Sequence, residues 1–136
     1  MYIRKLEAND YEDILVKWWK DWGGVPPVKD FLPEDGEGGF IVYEDNTPIC
    51  SGFIYVTNSS VAWVDWIVSN REYRKKPNRA QAIDLLIDTL NNVAKVTGCK
   101  YIYAHNNNTH LINRFTSNGY LKGSKSTELI KKIQWD

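Results

Sequence analysis

Five cations lie close together in this chain: Arg71, Arg74, Lys75, Lys76 and Arg79. They follow an apolar, tryptophan-bearing stretch, Val61–Ser69, and precede a run of helical periodicity that begins near Ala80. Unpaired N–H groups at a helix start, the helix dipole and clustered positive charge together favour a phosphate or pyrophosphate. Pro77 and Asn78 interrupt the cluster. A loop of this composition serves equally as a solvated connector, and composition alone does not choose between the two.

The second candidate is a carboxylate. Asp65 lies between Trp63 and Trp66 in an alternating pattern. Desolvation among aromatic rings raises a carboxylate's pKa, which suits a general base working near neutrality. The alternative is an Asp65 that faces solvent or bonds a neighbouring strand. His105 and His110 are open to the same two readings, proton relay or polar loop and cap residue. No serine sits in a nucleophile-elbow context, and neither CxxC nor a His/Cys metal spacing occurs, so no metal is expected.

The elements that must position these groups follow from composition and period. With 136 residues the chain suits one domain, 1–136, with a real core. Acidic and basic residues number 17 each, so charge gives no general reason to expect nucleic acid or an anionic membrane as partner. The two cysteines, Cys50 and Cys99, read as reduced, buried small hydrophobes. Met1–Leu6 lacks a signal-peptide pattern and no apolar run reaches membrane-spanning length, so a cytoplasmic protein is expected.

Tyr2–Leu6 alternates as a short strand, and Asn9-Asp10 offers an N-cap to an amphipathic helix, Tyr11–Trp22, that stops at Gly23-Gly24. Pro26 and Pro27 make the next segment extended, and Asp30–Pro33 is either a brief helical turn or a loop. Phe40–Tyr43, Ile49–Val56 and Val61–Ser69, joined by short polar turns, read as an antiparallel meander. Ala80, Ile83, Leu86, Ile87, Leu90 and Ala94 recur at helical spacing before the stop at Gly98. Tyr101–Ala104 then reads as a buried strand in parallel or splayed pairing with Val61–Ser69. Asn108 or Thr109 caps a short helix, His110–Ser117, and Tyr120-Leu121 and Leu129–Trp135 read as closing strands around the loop Lys122–Ser126. The sum is an α+β domain with a mixed, mostly antiparallel central sheet, a splayed parallel pair and flanking helices.

The element order, with Glu72-Tyr73-Arg74 after a strand and Asn108 leading to Asn118-Gly119-Tyr120, resembles the GNAT superfamily of acetyl-CoA-dependent N-acetyltransferases over nearly the whole chain. Trp18-Trp19-Lys20, Pro26-Pro27, Phe31-Leu32-Pro33 and Trp66-Ile67-Val68-Ser69-Asn70 resemble, more narrowly, small bacteriophage-encoded proteins of that type. The resemblance implies that backbone groups of Ile67, Val68 and Ser69 hold the pantetheine arm of acetyl-CoA. The loop carrying Arg74, Lys75, Lys76, Asn78, Arg79 and Ala80 would wrap its pyrophosphate. Asn108 would cap a helix or touch the cofactor, and Phe115 stands where many members carry the tyrosine that protonates the leaving thiolate. Trp18, Trp19, Trp22 and Phe31 would shape the acceptor pocket, and Asp65 would be the base.

This chain departs from the family pattern at two points. Pro77 and Arg79 stand where glycines are expected, so a guanidinium would replace close backbone approach. Phe115 has no hydroxyl, which leaves water to protonate the thiolate. The implied function is acetyl transfer from the thioester to a small-molecule or protein amine. The alternative is a phage protein of the same fold that acts by binding a host protein or CoA. A homodimer and a location in the cytoplasm, the host's if phage-encoded, complete the expectations, with neither membrane nor nucleic acid as partner.

Overall fold

The computed structural model describes residues 1–135. Five strands, β1 (Tyr2–Lys5), β2 (Gly39–Glu44), β3 (Thr47–Val56), β4 (Val61–Ser69) and β5 (Tyr101–Ala104), form one sheet in chain order. The first four are antiparallel neighbours, as short polar turns require, and β5 joins β4 in parallel. Asp45 turns the β2–β3 corner with φ 52°, and the Thr57 hydroxyl closes the β3–β4 corner by donating to the Val61 carbonyl at 2.7 Å. The parallel step needs a crossover, supplied by the helix α2 (Arg79–Val96).

Alternation along the strands divides the core between two faces. On one, Ala82, Ile83, Leu86, Ile87, Leu90 and Ala94 of α2 pack on Val42, Ile49, Cys50, Ile54, Ala62 and Val64. On the other, Leu15, Trp18 and Trp19 cover Leu6, Leu32, Ile41, Phe53 and Val68. Each large side chain taken out of water on either face contributes roughly 1.5–3 kcal/mol. The expected mixed sheet with a parallel pair and helices on both faces is therefore the architecture observed.

The first helical segment covers the expected residues, but it opens with a wide π turn, Tyr11–Leu15, before the regular helix α1 (Val16–Asp21). Asp10 does not cap it. Its backbone is already helical, and its buried carboxylate accepts both Arg4 guanidinium nitrogens, at 2.8 and 3.0 Å, and the Glu7 amide at 2.7 Å. A bidentate arginine outcompetes a cap because two charge-assisted bonds satisfy more of the carboxylate than one helix amide can. The third helix, α3 (Thr109–Ser117), is capped as expected, with Asn108 Oδ1 accepting from the Leu111 amide at 3.1 Å.

The two closing strands do not form among the described residues. Tyr120 is drawn out of an extended run because its ring packs on Phe115 and its hydroxyl donates to Asn91 Oδ1 at 2.6 Å. Residues 121–135 join no strand of the sheet, and a strand without a ladder partner gains no hydrogen bonds over hydrated coil.

Asp10 makes the acid stability of this fold testable. Burial pushes its pKa up, but the Arg4 guanidinium and the Glu7 amide outweigh that and hold it below the usual aspartate value. A depressed folded-state pKa adds stability above the unfolded-state value, and that stability is lost as pH falls through the folded one. Asp10→Asn should therefore be less stable than the parent at pH 7, and that disadvantage should shrink by pH 2 as the folded-state carboxylate takes up its proton. Urea unfolding at the two pH values checks this, and an equal gap at both would remove the ion pair from the account.

Candidate active site

The parallel pairing of β5 with β4 runs only from Val61 opposite Tyr101 to Val64 opposite Ala104. β4 continues to Ser69, while the chain beyond Ala104 turns off toward α3. A gap opens there, and the edge of Asp65–Ser69 that faces it has no strand neighbour.

The opposite edge of β4 is irregular at the same level. Ser51 lies opposite Val68 and Phe53 opposite Asp65, so Gly52 alone spans Trp66 and Ile67. This is a β-bulge, and within it Trp66 takes a left-handed φ of 58°. Such a backbone is strained for a bulky residue, and Asp65 helps to hold it by accepting the Trp66 amide on Oδ1 at 2.7 Å. Gly52 gives the Ile67 side chain room opposite, since a Cβ there would come within 2.4 Å of the Ile67 Cδ1 and displace it. The bulge turns Asp65 and Trp66 to the same face, the one covered by α1. Asp65 is in register with Phe53 of that core, and Trp66 packs edge-on to Trp19 and tilted against Phe31.

Asp65 is half-buried among aromatic groups. Desolvation raises its pKa above the ordinary value, against the opposing pull of the Trp66 amide, the Trp63 indole and, at longer range, His105. Trp63 forms the adjoining wall with Tyr103 at 5.4 Å and His105 at 4.6 Å between ring centres. Tyr55, which the sequence reading did not single out, closes the wall on the β3 side. Its hydroxyl accepts the Trp66 indole N–H at 2.8 Å and donates to the Phe31 carbonyl at 2.5 Å, tying strand, bulge and loop together. The signal for it lay in the β3–β4 hairpin, whose register sets Tyr55 opposite Trp63.

The four aromatic residues expected in a pocket divide in two. Trp19 and Phe31 flank Trp66, whereas Trp18 is core and Trp22 lies at the end of α1. The Trp22 indole donates to the Ser69 carbonyl at 2.8 Å, and its ring is covered by the guanidinium groups of Arg71 and Arg79 at 5.5 and 5.4 Å. This clamp pins the far end of β4 to α1.

The basic loop separates in the same way. Arg74, Lys75 and Lys76 are exposed. Arg71 is spent on the Asp21 carbonyl at 2.9 Å, and Arg79 turns inward, donating to Ser69 Oγ at 2.9 Å. Burial lowers the Arg79 pKa, and its Nε is buried without a partner. At the start of α2 the Ala82 amide returns to the Asn78 carbonyl. The amides of Asn78, Ala80 and Gln81 find no acceptor among the described residues. His110 is exposed in the first turn of α3, and Phe115 is buried on the core side of that helix.

The raised pKa of Asp65 has a cost in stability with a definite sign. A folded-state pKa above the unfolded one means the native state holds the extra proton, so stability is full below the unfolded value and falls as pH rises through the folded one. Asp65→Asn keeps the acceptor for the Trp66 amide and removes the charge. It should be more stable than the parent at pH 7, with a higher Tm, and show no gain at pH 3. Thermal melts at both pH values test this, and a variant less stable at pH 7 would show that Asp65 is a structural carboxylate.

No protein-family profile matches the chain, and no curated protein matches it in sequence. Solved structures do match in shape. Glucosamine-6-phosphate N-acetyltransferase of Arabidopsis thaliana superposes with a TM-score of 0.61 at 14% identity, covering 96% of this chain and 98% of that one. The ribosomal-protein-S18-alanine N-acetyltransferase of Escherichia coli gives 0.65 at 16% identity over 90% of this chain and 79% of its own. An aminoglycoside 6'-N-acetyltransferase of Acinetobacter haemolyticus gives 0.55 at 19% identity over 98% and 100%. The sheet order, the parallel pair that splays after Val64 and the helices on both faces are thus those of the GNAT acetyltransferase fold.

Proposed function

We propose that the protein transfers the acetyl group of acetyl-CoA directly to an amine. The observation that carries this reading is the gap between β4 and β5 beside a half-buried carboxylate of raised pKa, in a fold shared with N-acetyltransferases. A strand edge with no neighbour offers backbone donors and acceptors to an extended, amide-containing chain, as the pantetheine arm is. In this reading the arm lies along Ile67, Val68 and Ser69.

The pyrophosphate is taken by the unpaired amides of Asn78, Ala80 and Gln81, with the exposed Arg74, Lys75 and Lys76 supplying positive charge around them. Arg79 acts from below. Held by Ser69 and stacked on Trp22, it props the strand end and keeps positive charge beneath the phosphates. Asn108 serves through its cap of α3, and Phe115 through the packing that seats that helix beside the gap.

The amine nitrogen attacks the thioester carbonyl carbon. A C–N bond forms, the C–S bond breaks, CoA leaves as thiolate and takes a proton from water, and the amine's proton passes to Asp65. The amide of Val68 or Ser69 donates to the oxyanion, and the fixed bulge means this donor needs no rearrangement when charge develops. Trp19, Phe31, Tyr55, Trp63 and Trp66 form an apolar wall for the body of the acceptor. A non-catalytic binder presenting a tryptophan patch has less in its favour, because Trp18 and Trp19 are buried, which leaves Trp22, 43% exposed with two arginines against its ring, as the one surface tryptophan of the three.

Calorimetry with acetyl-CoA, together with thiol release in the presence of a panel of amines, tests this. Arg74→Ala should weaken CoA binding by about 1–3 kcal/mol, the worth of a charge-assisted bond, with the fold unchanged. Asp65→Asn should leave that affinity intact, slow transfer by on the order of 100-fold and abolish the rise of rate with pH, since only the ionised carboxylate accepts the proton. No heat at millimolar CoA would dismiss the proposal, and an unaltered rate in Asp65→Asn would dismiss the base.

A further inference from the structure

We infer that the amine taken at this site is carried on an apolar, aryl-bearing body, and that amines carried on sugars or on phosphorylated groups are turned away. The inference rests on the proposed acetyl transfer and narrows its acceptor. It starts from the rings around Asp65. The register of β3 and β4 sets Tyr55 beside Trp63, Tyr103 of β5 follows at 5.4 Å from Trp63 between ring centres, and the bulge brings Trp66 round to Phe31 at 6.5 Å. Side chains two apart on a strand share a face, so Trp63 and Asp65 stand together. Phe31 is 45% and Tyr103 56% exposed, and Trp63 and Trp66 are half-buried, so open ring surface flanks the carboxylate along β4.

What decides the acceptor is where the polar atoms of these rings go. The Trp66 indole N–H donates to the Tyr55 hydroxyl at 2.8 Å, and that hydroxyl donates to the Phe31 carbonyl at 2.5 Å. The Trp63 indole favours the charge on Asp65 itself. The inner wall has thus spent its donors within the protein, and it offers a ligand ring faces and one carboxylate. Those attract an ammonium group and take an apolar or aromatic body behind it. They give a hydroxyl nothing in exchange for the water it leaves. Tyr103 and His105 form the outer rim, where water serves their polar atoms. A phosphorylated body fares no better. Of the charges that act on Asp65, Glu128 repels a phosphate and His105 is packed edge-on to Trp63 at 4.6 Å. Lys29, two residues before Phe31, is paired with Glu12 at 2.7 Å, and Arg74, Lys75 and Lys76 stand in the loop beyond Ser69.

Thiol-release assays of the full chain with acetyl-CoA and, in turn, 2-phenylethylamine, n-butylamine, glucosamine and glucosamine 6-phosphate test this. The expected kcat/KM is highest for 2-phenylethylamine and about 100-fold lower for both sugars, the factor by which an apolar site rejects an added hydroxyl. Phe31→Ser and Tyr103→Ser, both at exposed positions, should keep the fold by circular dichroism and raise KM for 2-phenylethylamine about 10-fold, with KM for n-butylamine changed by less than about twofold. Butylamine or a sugar amine used as well as the aryl amine, or an unchanged KM for 2-phenylethylamine in both variants, overturns the inference while acetyl transfer stands. Transfer to none of the four by a chain that binds CoA overturns the reading of the site as an acetyltransferase, and this inference with it.

Discussion

Everything at the site depends on one mismatch of length: β4 runs on from Val64 to Ser69, and β5 stops at Ala104. A parallel pair held through four registers leaves five residues of strand without a neighbour on one side. Backbone polar groups left so must be hydrated or given a partner; the Trp22 indole takes the Ser69 carbonyl, and no strand among the described residues takes the others. The bulge at Trp66 belongs to the same constraint. By setting Gly52 against two residues it bends β4 away from the line of the sheet and turns Asp65 and Trp66 to one face. A regular strand would have sent one of those side chains into the α2 core.

Three sets of contacts hold this strained strand end, one within β4 and two reaching to other elements. The Asp65 carboxylate holds the Trp66 amide, the Tyr55 hydroxyl holds the Trp66 indole, and Trp22 and Arg79 hold Ser69. Arg79 is informative because it costs something. Its guanidinium is partly desolvated and one N–H is buried without an acceptor, a penalty that packing on Trp22 offsets. Its position in the chain suggested a direct phosphate ligand in place of a glycine. Its contacts make it a brace under the strand, which leaves the helix amides and the exposed cations of the loop nearest to any anion.

Much of the framework was legible in the sequence. The period of α2, the turns of the meander, the Asn108 cap and the glycine stops each depend on residues close in sequence, and local patterns report local chemistry. What could not be read depends on register and on competition between partners. Trp66 has no residue-type signature for a left-handed φ, Tyr55 becomes part of the site only when the hairpin sets it beside Trp63, and Asp10 gives up its cap for Arg4, six residues earlier on β1. The alternation of Leu129, Ile133 and Trp135 was legible as strand propensity, but a strand is a property of a pair, and these residues join no strand among the described residues.

The central claim is that the unpaired edge of β4 and the first turn of α2 together hold one extended, phosphorylated thioester. An amide chemical-shift map of the chain titrated with acetyl-CoA tests it residue by residue. The account predicts the largest shifts at Ile67, Val68, Asn78, Ala80 and Gln81, with β1 and β2 unmoved. Shifts absent from β4 and the start of α2, or concentrated on another surface, would contradict it.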